Sequence, residues 1–227
     1  MNLFSPLLFS VSLLFAALPS SVFANSKSLP EVIFFGGAGA TDAQMKEWEE
    51  AAKKAPKGKS YIFRGQGYPV GADSSAKSAV QKGEAQLKAL ADEINAHPEK
   101  RYILAGHSSG SALSNRLAGL IKDTRKIKLV ALDGFAPSNE LQEKLSTDCW
   151  YAVNPETKLL SRNADSIIAK CKTKKAYEER GCATAMCLHM SLVRKRNGRG
   201  LNLDWLTEEP PLSSEARGNP EKRGAVR

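Results

Sequence analysis

Five residues near the middle of this 227-residue chain, Gly106-His107-Ser108-Ser109-Gly110, fit the pattern G-x-S-x-G. The apolar segment Arg101–Ala105 precedes them, and a helix with Leu113, Leu117, Leu120 and Ile121 on one face follows. In that setting the serine sits on a strained strand-to-helix turn with its hydroxyl exposed, and the flanking glycines avoid collisions with the neighbouring strand and helix. A serine hydroxyl is a weak nucleophile at neutral pH and needs a base within hydrogen-bond reach, usually imidazole. The chain has three histidines. His97 falls in the loop before a strand, at the wrong end of a sheet, and His107 is expected to direct its side chain away from Ser108. His189, in Cys187-Leu188-His189-Met190, is left as the expected general base; its alternative is a buried, hydrogen-bonded structural histidine.

Imidazole acting as a base needs a carboxylate to hold its tautomer. Asp133 closes the run Leu129-Val130-Ala131-Leu132 and opens Gly134-Phe135-Ala136-Pro137, which puts it at the carboxyl end of the strand after the elbow. Asp165 is the second candidate, and either could instead cap a loop. The oxyanion formed on attack needs backbone N–H groups already in place. Ser109 is expected to supply one, and Gly37 or Ala38, in Gly36-Gly37-Ala38-Gly39, the other. The same glycines could cradle a phosphate, but the Lys-Ser/Thr of a P-loop and the third glycine of a dinucleotide fingerprint are missing. No cofactor is expected.

Positioning these groups calls for a scaffold that the apolar patterning supplies. Val32–Phe35 reads as a strand buried on both faces. A helix capped by Thr41 or Asp42 follows, with Met45, Trp48, Ala51 and Ala52 inward, and stops at Pro56. Ser60–Phe63 reads as a strand, and Val80, Leu87, Leu90, Ala91 and Ile94 mark a longer helix that ends near His97-Pro98. Strands are expected at 101–105, 127–132 and 150–153, with a helix at 164–171 that turns Ile167 and Ile168 inward. This alternation predicts an α/β fold, a mostly parallel sheet covered by helices on both faces, with ligands at the carboxyl ends of the strands.

The elbow, its flanking elements and Leu132-Asp133-Gly134 resemble α/β-hydrolases that carry their acid after the strand next to the elbow. Thioesterase domains of peptide synthetases and pancreatic-type lipases are examples. The resemblance covers roughly residues 32–192 and implies an α/β-hydrolase-like fold, a second oxyanion donor from the loop after the first strand, and ester or thioester hydrolysis. Most members place the acid one strand later, which keeps Asp165 open. Lids in that family commonly follow the acid's strand; with about 15 residues between Asp133 and Cys149 a large lid is not expected. Such an open site suits esters or thioesters of modest or exposed acyl chains better than a deep lipid tunnel, and the expected partner is a small-molecule or lipid-like acyl substrate. Acyl transfer, or a secreted binding protein that keeps the scaffold without turnover, are the other readings.

Residues 1–24 carry no charged side chain and combine the apolar run Leu7–Leu18 with Val22-Phe23-Ala24, as a cleavable export signal does. The expected organisation is an export signal over 1–24, one catalytic domain over 25–193, and a basic, loosely ordered tail over 194–227 with a docking contact at Leu203 and Trp205. Periplasmic or secreted localisation follows. Four cysteines in an oxidising compartment point to disulfides; three pairings are open, and Cys149 with Cys171 and Cys182 with Cys187 is favoured because sequence neighbours meet at low entropic cost. A zinc site built from Cys182, Cys187 and His189 is the rival, disfavoured by the lack of paired C-x-x-C spacings; no metal is expected. A net charge of +9 could favour anionic surfaces, but the basic residues lack interleaved aromatics, so no nucleic-acid partner is expected. Oligomeric state is not legible.

Overall fold

Glu31–Phe35 (β1) is buried along its whole length, as a strand covered on both faces must be. Thr41 then caps α1 (Asp42–Lys54) through a reciprocal capping box: its hydroxyl accepts the Gln44 N–H while the Gln44 amide oxygen accepts the Thr41 N–H. Met45, Trp48 and Ala52 face inward, whereas Ala51, expected beside them, lies at the stripe's margin and is exposed. Pro56–Ser60 forms a 3₁₀ turn, which delays β2 to Ile62–Gln66. The structure is a computed structural model that describes residues 28–194 and 201–206; the expected export signal and most of the expected tail lie outside the described residues.

Ser75 caps the long α2 (Ala76–Ala96), where Ala79 takes the inward place expected of Val80. Next come β3 (Tyr102–His107), α3 (Gly110–Leu120), β4 (Ile127–Leu132), α4 (Asn139–Lys144), β5 (Ser146–Val153), α5 (Ala164–Lys170), β6 (Lys174–Glu178) and α6 (Ala185–Ser191). The six strands form one sheet in the order β2-β1-β3-β4-β5-β6, and every pairing is parallel. Alternate residues of β1, β3 and β4 feed two large cores. Val32, Phe34, Val130, Leu132 and Trp150 pack under Trp48 of α1, Leu188 of α6 and Trp205. Ile33, Phe35, Leu104 and Leu129 pack under α2 and α3. The chain thus folds as an α/β structure, a parallel sheet with helices on both faces. Only the short α4 separates β4 from β5, so no large lid stands there.

Leu203 and Trp205, where a docking contact was expected, are all but fully buried together with Leu206, and Trp205 stacks 6.1 Å from Phe34, so core residues lie past residue 193. β6 had no counterpart among the expected strands. The disulfides are Cys149–Cys171, which ties β5 to the end of α5, and Cys182–Cys187, which closes a short loop entering α6.

Candidate active site

The chain lays β2 on one side of β1 and then crosses to lay β3 on the other, so the connections leaving β1 and β3 diverge. This switch point opens a crevice beyond the carboxyl ends of the strands. Gly36–Gly39 and the 106–110 turn both lie there. Ser108 has φ of 54°, the left-handed region, and its N–H donates to Leu132 O at 2.9 Å. A Cβ on Gly110 would stand 2.4 Å from Gly36 O, and one on Gly106 2.5 Å from Ser111 Cα, so no larger residue fits either position without displacing backbone.

Asp133 also has a positive φ, 43°, and is fully buried. Its Oδ2 accepts a hydrogen bond from His189 Nδ1 at 2.5 Å. A carboxylate acceptor places the imidazole proton on Nδ1 and leaves a lone pair on Nε2. Ser161 donates its hydroxyl to Asp133 Oδ1 at 2.7 Å, and the Asn163 N–H reaches both carboxylate oxygens at 3.2 Å. Asn163 Nδ2 donates to Asp133 O at 2.7 Å. These donors fix the carboxylate's orientation from a loop 28 and 30 residues downstream, and sequence reasoning singled out neither Ser161 nor Asn163. Asp165, the other candidate acid, is exposed in the first turn of α5. There its charge favours the helix amino terminus.

His189 lies on α6 and not in a loop. Thr184 caps that helix by accepting the Cys187 N–H, the Cys182–Cys187 disulfide staples its entry, and Asn154 Nδ2 donates to Arg180 O and Cys182 O just before it. Both cysteine sulfurs are consumed in this bond and offer no thiolate to zinc. Among the described residues no group of His, Cys, Asp or Glu could hold a metal ion.

His107 has a larger part than its sequence position suggested. Its ring lies 4.3 Å from the His189 ring, and its Nε2 sits 3.1 Å from His189 O. Because a carbonyl only accepts, Nε2 carries the proton. Burial, followed by the nearby His189, pushes the His107 pKa down to about 3, so the ring stays neutral. Its packing against His189 and its hydrogen bond to the backbone of that residue steady the His189 ring. The signal available in sequence was only its place beside the nucleophile.

Of the two alternatives expected beside the Ser109 N–H, the structure leaves Gly37 and not Ala38. The Ala38 N–H is already spent on Ser109 Oγ, 2.9 Å away, whereas the Gly37 and Ser109 N–H groups have no hydrogen-bond partner among the described residues. Gly37 also abuts Ser108: a Cβ there would stand 3.0 Å from Ser108 Cβ. Ser111 Oγ joins the two loops by donating to Ser108 O at 2.6 Å and accepting the Phe135 N–H at 2.5 Å. No hydrogen bond joins Ser108 Oγ to the His189 ring; in unliganded hydrolytic sites this contact is often loose and tightens with substrate.

No family model and no curated protein matches the sequence. Solved structures similar to it include SOBER1 from Arabidopsis thaliana, with 14% identity, 66% of this chain and 88% of that chain covered, and a TM-score of 0.44. An alpha/beta-superfamily protein from Xanthomonas campestris is also 14% identical, with 72% and 95% covered and a TM-score of 0.43. The esterase domain of a Rhodothermus marinus protein is 10% identical, with 74% and 84% covered and a TM-score of 0.42.

Proposed function

We propose that this chain is an exported serine hydrolase that cleaves carboxylic esters or thioesters through an acyl-enzyme on Ser108. In this reading His189 Nε2 takes the Ser108 proton as Oγ attacks the carbonyl, and Asp133 stabilises the imidazolium. The Ser109 and Gly37 N–H groups receive the oxyanion. The imidazolium returns its proton to the departing alkoxide or thiolate. Water, deprotonated by the same imidazole, then cleaves the acyl-enzyme and restores Ser108.

The observation that carries this reading is the buried Asp133–His189 hydrogen bond beside a serine held at positive φ at the sheet's switch point. Phe135 and Met186, exposed on the segments that bear the acid and the base, favour an apolar acyl group. Two disulfides suit an oxidising compartment, and no helix among the described residues is long and apolar enough to cross a membrane. The excess of positive charge would draw the protein weakly to anionic surfaces.

The experiment is labelling of the disulfide-intact protein with a fluorophosphonate, peptide mapping, and a Ser108→Ala control. Modification confined to Ser108 supports the proposal; none in a folded sample removes it. The missing Ser108–His189 hydrogen bond favours a second reading, a secreted binding protein on the same scaffold. His189→Ala separates the two, since it abolishes turnover but leaves such binding intact. Acyl transfer to an acceptor other than water uses the same residues.

A further inference from the structure

Among the described residues β6 is one edge of the sheet, paired only with β5. Thr173 O accepts the Cys149 N–H and the Glu179 N–H donates to Val153 O, both toward β5. Alternate residues of a strand address the same neighbour, so the backbone groups of Lys175 and Tyr177 also turn inward, and those of Lys174, Ala176 and Glu178 turn outward. None of these outward backbone groups has a partner among the described residues. The side chains follow suit: Lys174, Ala176 and Glu178 are exposed, whereas Lys175 and Tyr177 are half-buried, Lys175 reaching Asp148 at 2.9 Å.

Unpaired edges are templates for another strand, and a lone lysine on an edge normally repels such pairing. Here the charges are arranged otherwise. Two copies related by a two-fold axis meet edge to edge in antiparallel fashion. Hydrogen-bonded pairs across that axis must join outward-facing residues, and only a register centred on Ala176 uses all three of them. In that register Ala176 faces Ala176, and Lys174 of each copy faces Glu178 of the other on the same side of the sheet, where opposite charges stabilise directly opposed residues. Lys174 Nζ, which donates to Ile168 O at 2.8 Å, stays free to exchange that contact because the side chain is exposed.

We propose that β6 is a self-association edge, through which two copies join their sheets antiparallel about Ala176 with reciprocal Lys174–Glu178 pairs. Nothing in this depends on hydrolysis. Sedimentation velocity of the disulfide-intact protein over a concentration series tests it, with circular dichroism confirming the fold of each variant. The wild type should dimerise reversibly. Glu178→Lys should raise the dissociation constant about tenfold, as should Lys174→Glu, and the double variant Lys174→Glu/Glu178→Lys should recover it, because the swapped pair is again complementary. Ala176→Pro removes an outward N–H without touching the β5 ladder and should leave a folded monomer. A wild type that stays monomeric up to about 100 μM overturns the proposal. So does a dimer indifferent to these substitutions, or a double variant no tighter than the singles.

Discussion

Ser109 Oγ accepts the Ala38 N–H across 71 residues of sequence, so the residue after Ser108 holds the loop that flanks it. Its own backbone N–H stays available to an oxyanion while its side chain fixes the placement of the neighbouring Gly37 donor. Ser109→Ala leaves both N–H groups in the chain but loosens that loop. Expected is a fall in kcat of about tenfold with little change in KM, because the lost interaction matters in the transition state; steady-state kinetics on a short-chain ester checks it.

Asp133→Asn retains the shape of the carboxylate but offers His189 the wrong hydrogen-bond partner, which favours the wrong tautomer. kcat should fall by about 10³–10⁴, as comparable triads lose. Asp165→Asn should leave kcat unchanged, since Asp165 is exposed on α5. An equal loss in both variants would reject Asp133 as the acid.

His107 makes stability depend on pH. Its ordinary pKa is 6.5, and burial with the adjacent His189 lowers it to about 3 in the fold. Between those values the unfolded chain binds the extra proton and the folded chain does not, so this contribution is complete above pH 6.5 and is lost as pH falls toward 3. Urea midpoints measured from pH 7 to pH 4 should therefore decline, and His107→Gln should flatten the decline. His107→Leu should also lower kcat about tenfold, through loss of the donor to His189 O.

The two disulfides should separate stability from activity. Cys149–Cys171 spans 22 residues, and its removal by paired alanines should cost about 3 kcal/mol in chemical denaturation while the folded fraction keeps its kcat. Cys182–Cys187 spans only 5, so its loss should shift stability less. Because it closes the entry to the helix that bears His189, kcat should fall in the Cys182→Ala/Cys187→Ala variant.

Much of this arrangement was legible because each signal was local. Val32–Phe35 and Ile127–Leu132 are unbroken apolar runs, and the glycines at 106 and 110 mark a turn that admits nothing larger. β6 was not legible: Lys174-Lys175-Ala176-Tyr177-Glu178 is an edge strand with only two half-buried residues, so no apolar period announces it. α6 was hidden for a related reason, since a seven-residue helix stapled by a disulfide needs no long amphipathic stripe. The Ser161 and Asn163 donors escaped because only the course of β5 and the loop after it bring them to Asp133. Ala38 illustrates a different limit: its N–H is spent on a side-chain oxygen, which backbone spacing alone does not disclose.

Trp205 stacks on Phe34, and with Leu203 and Leu206 it closes the sheet face that α1 and α6 cover. The first strand of the sheet thus waits for nearly the last described residue before its apolar face is sealed. A chain threaded amino terminus first through a narrow channel cannot complete this core until residue 206 has emerged. Completion of this core is therefore a late event, and the contact that closes it is an indole ring.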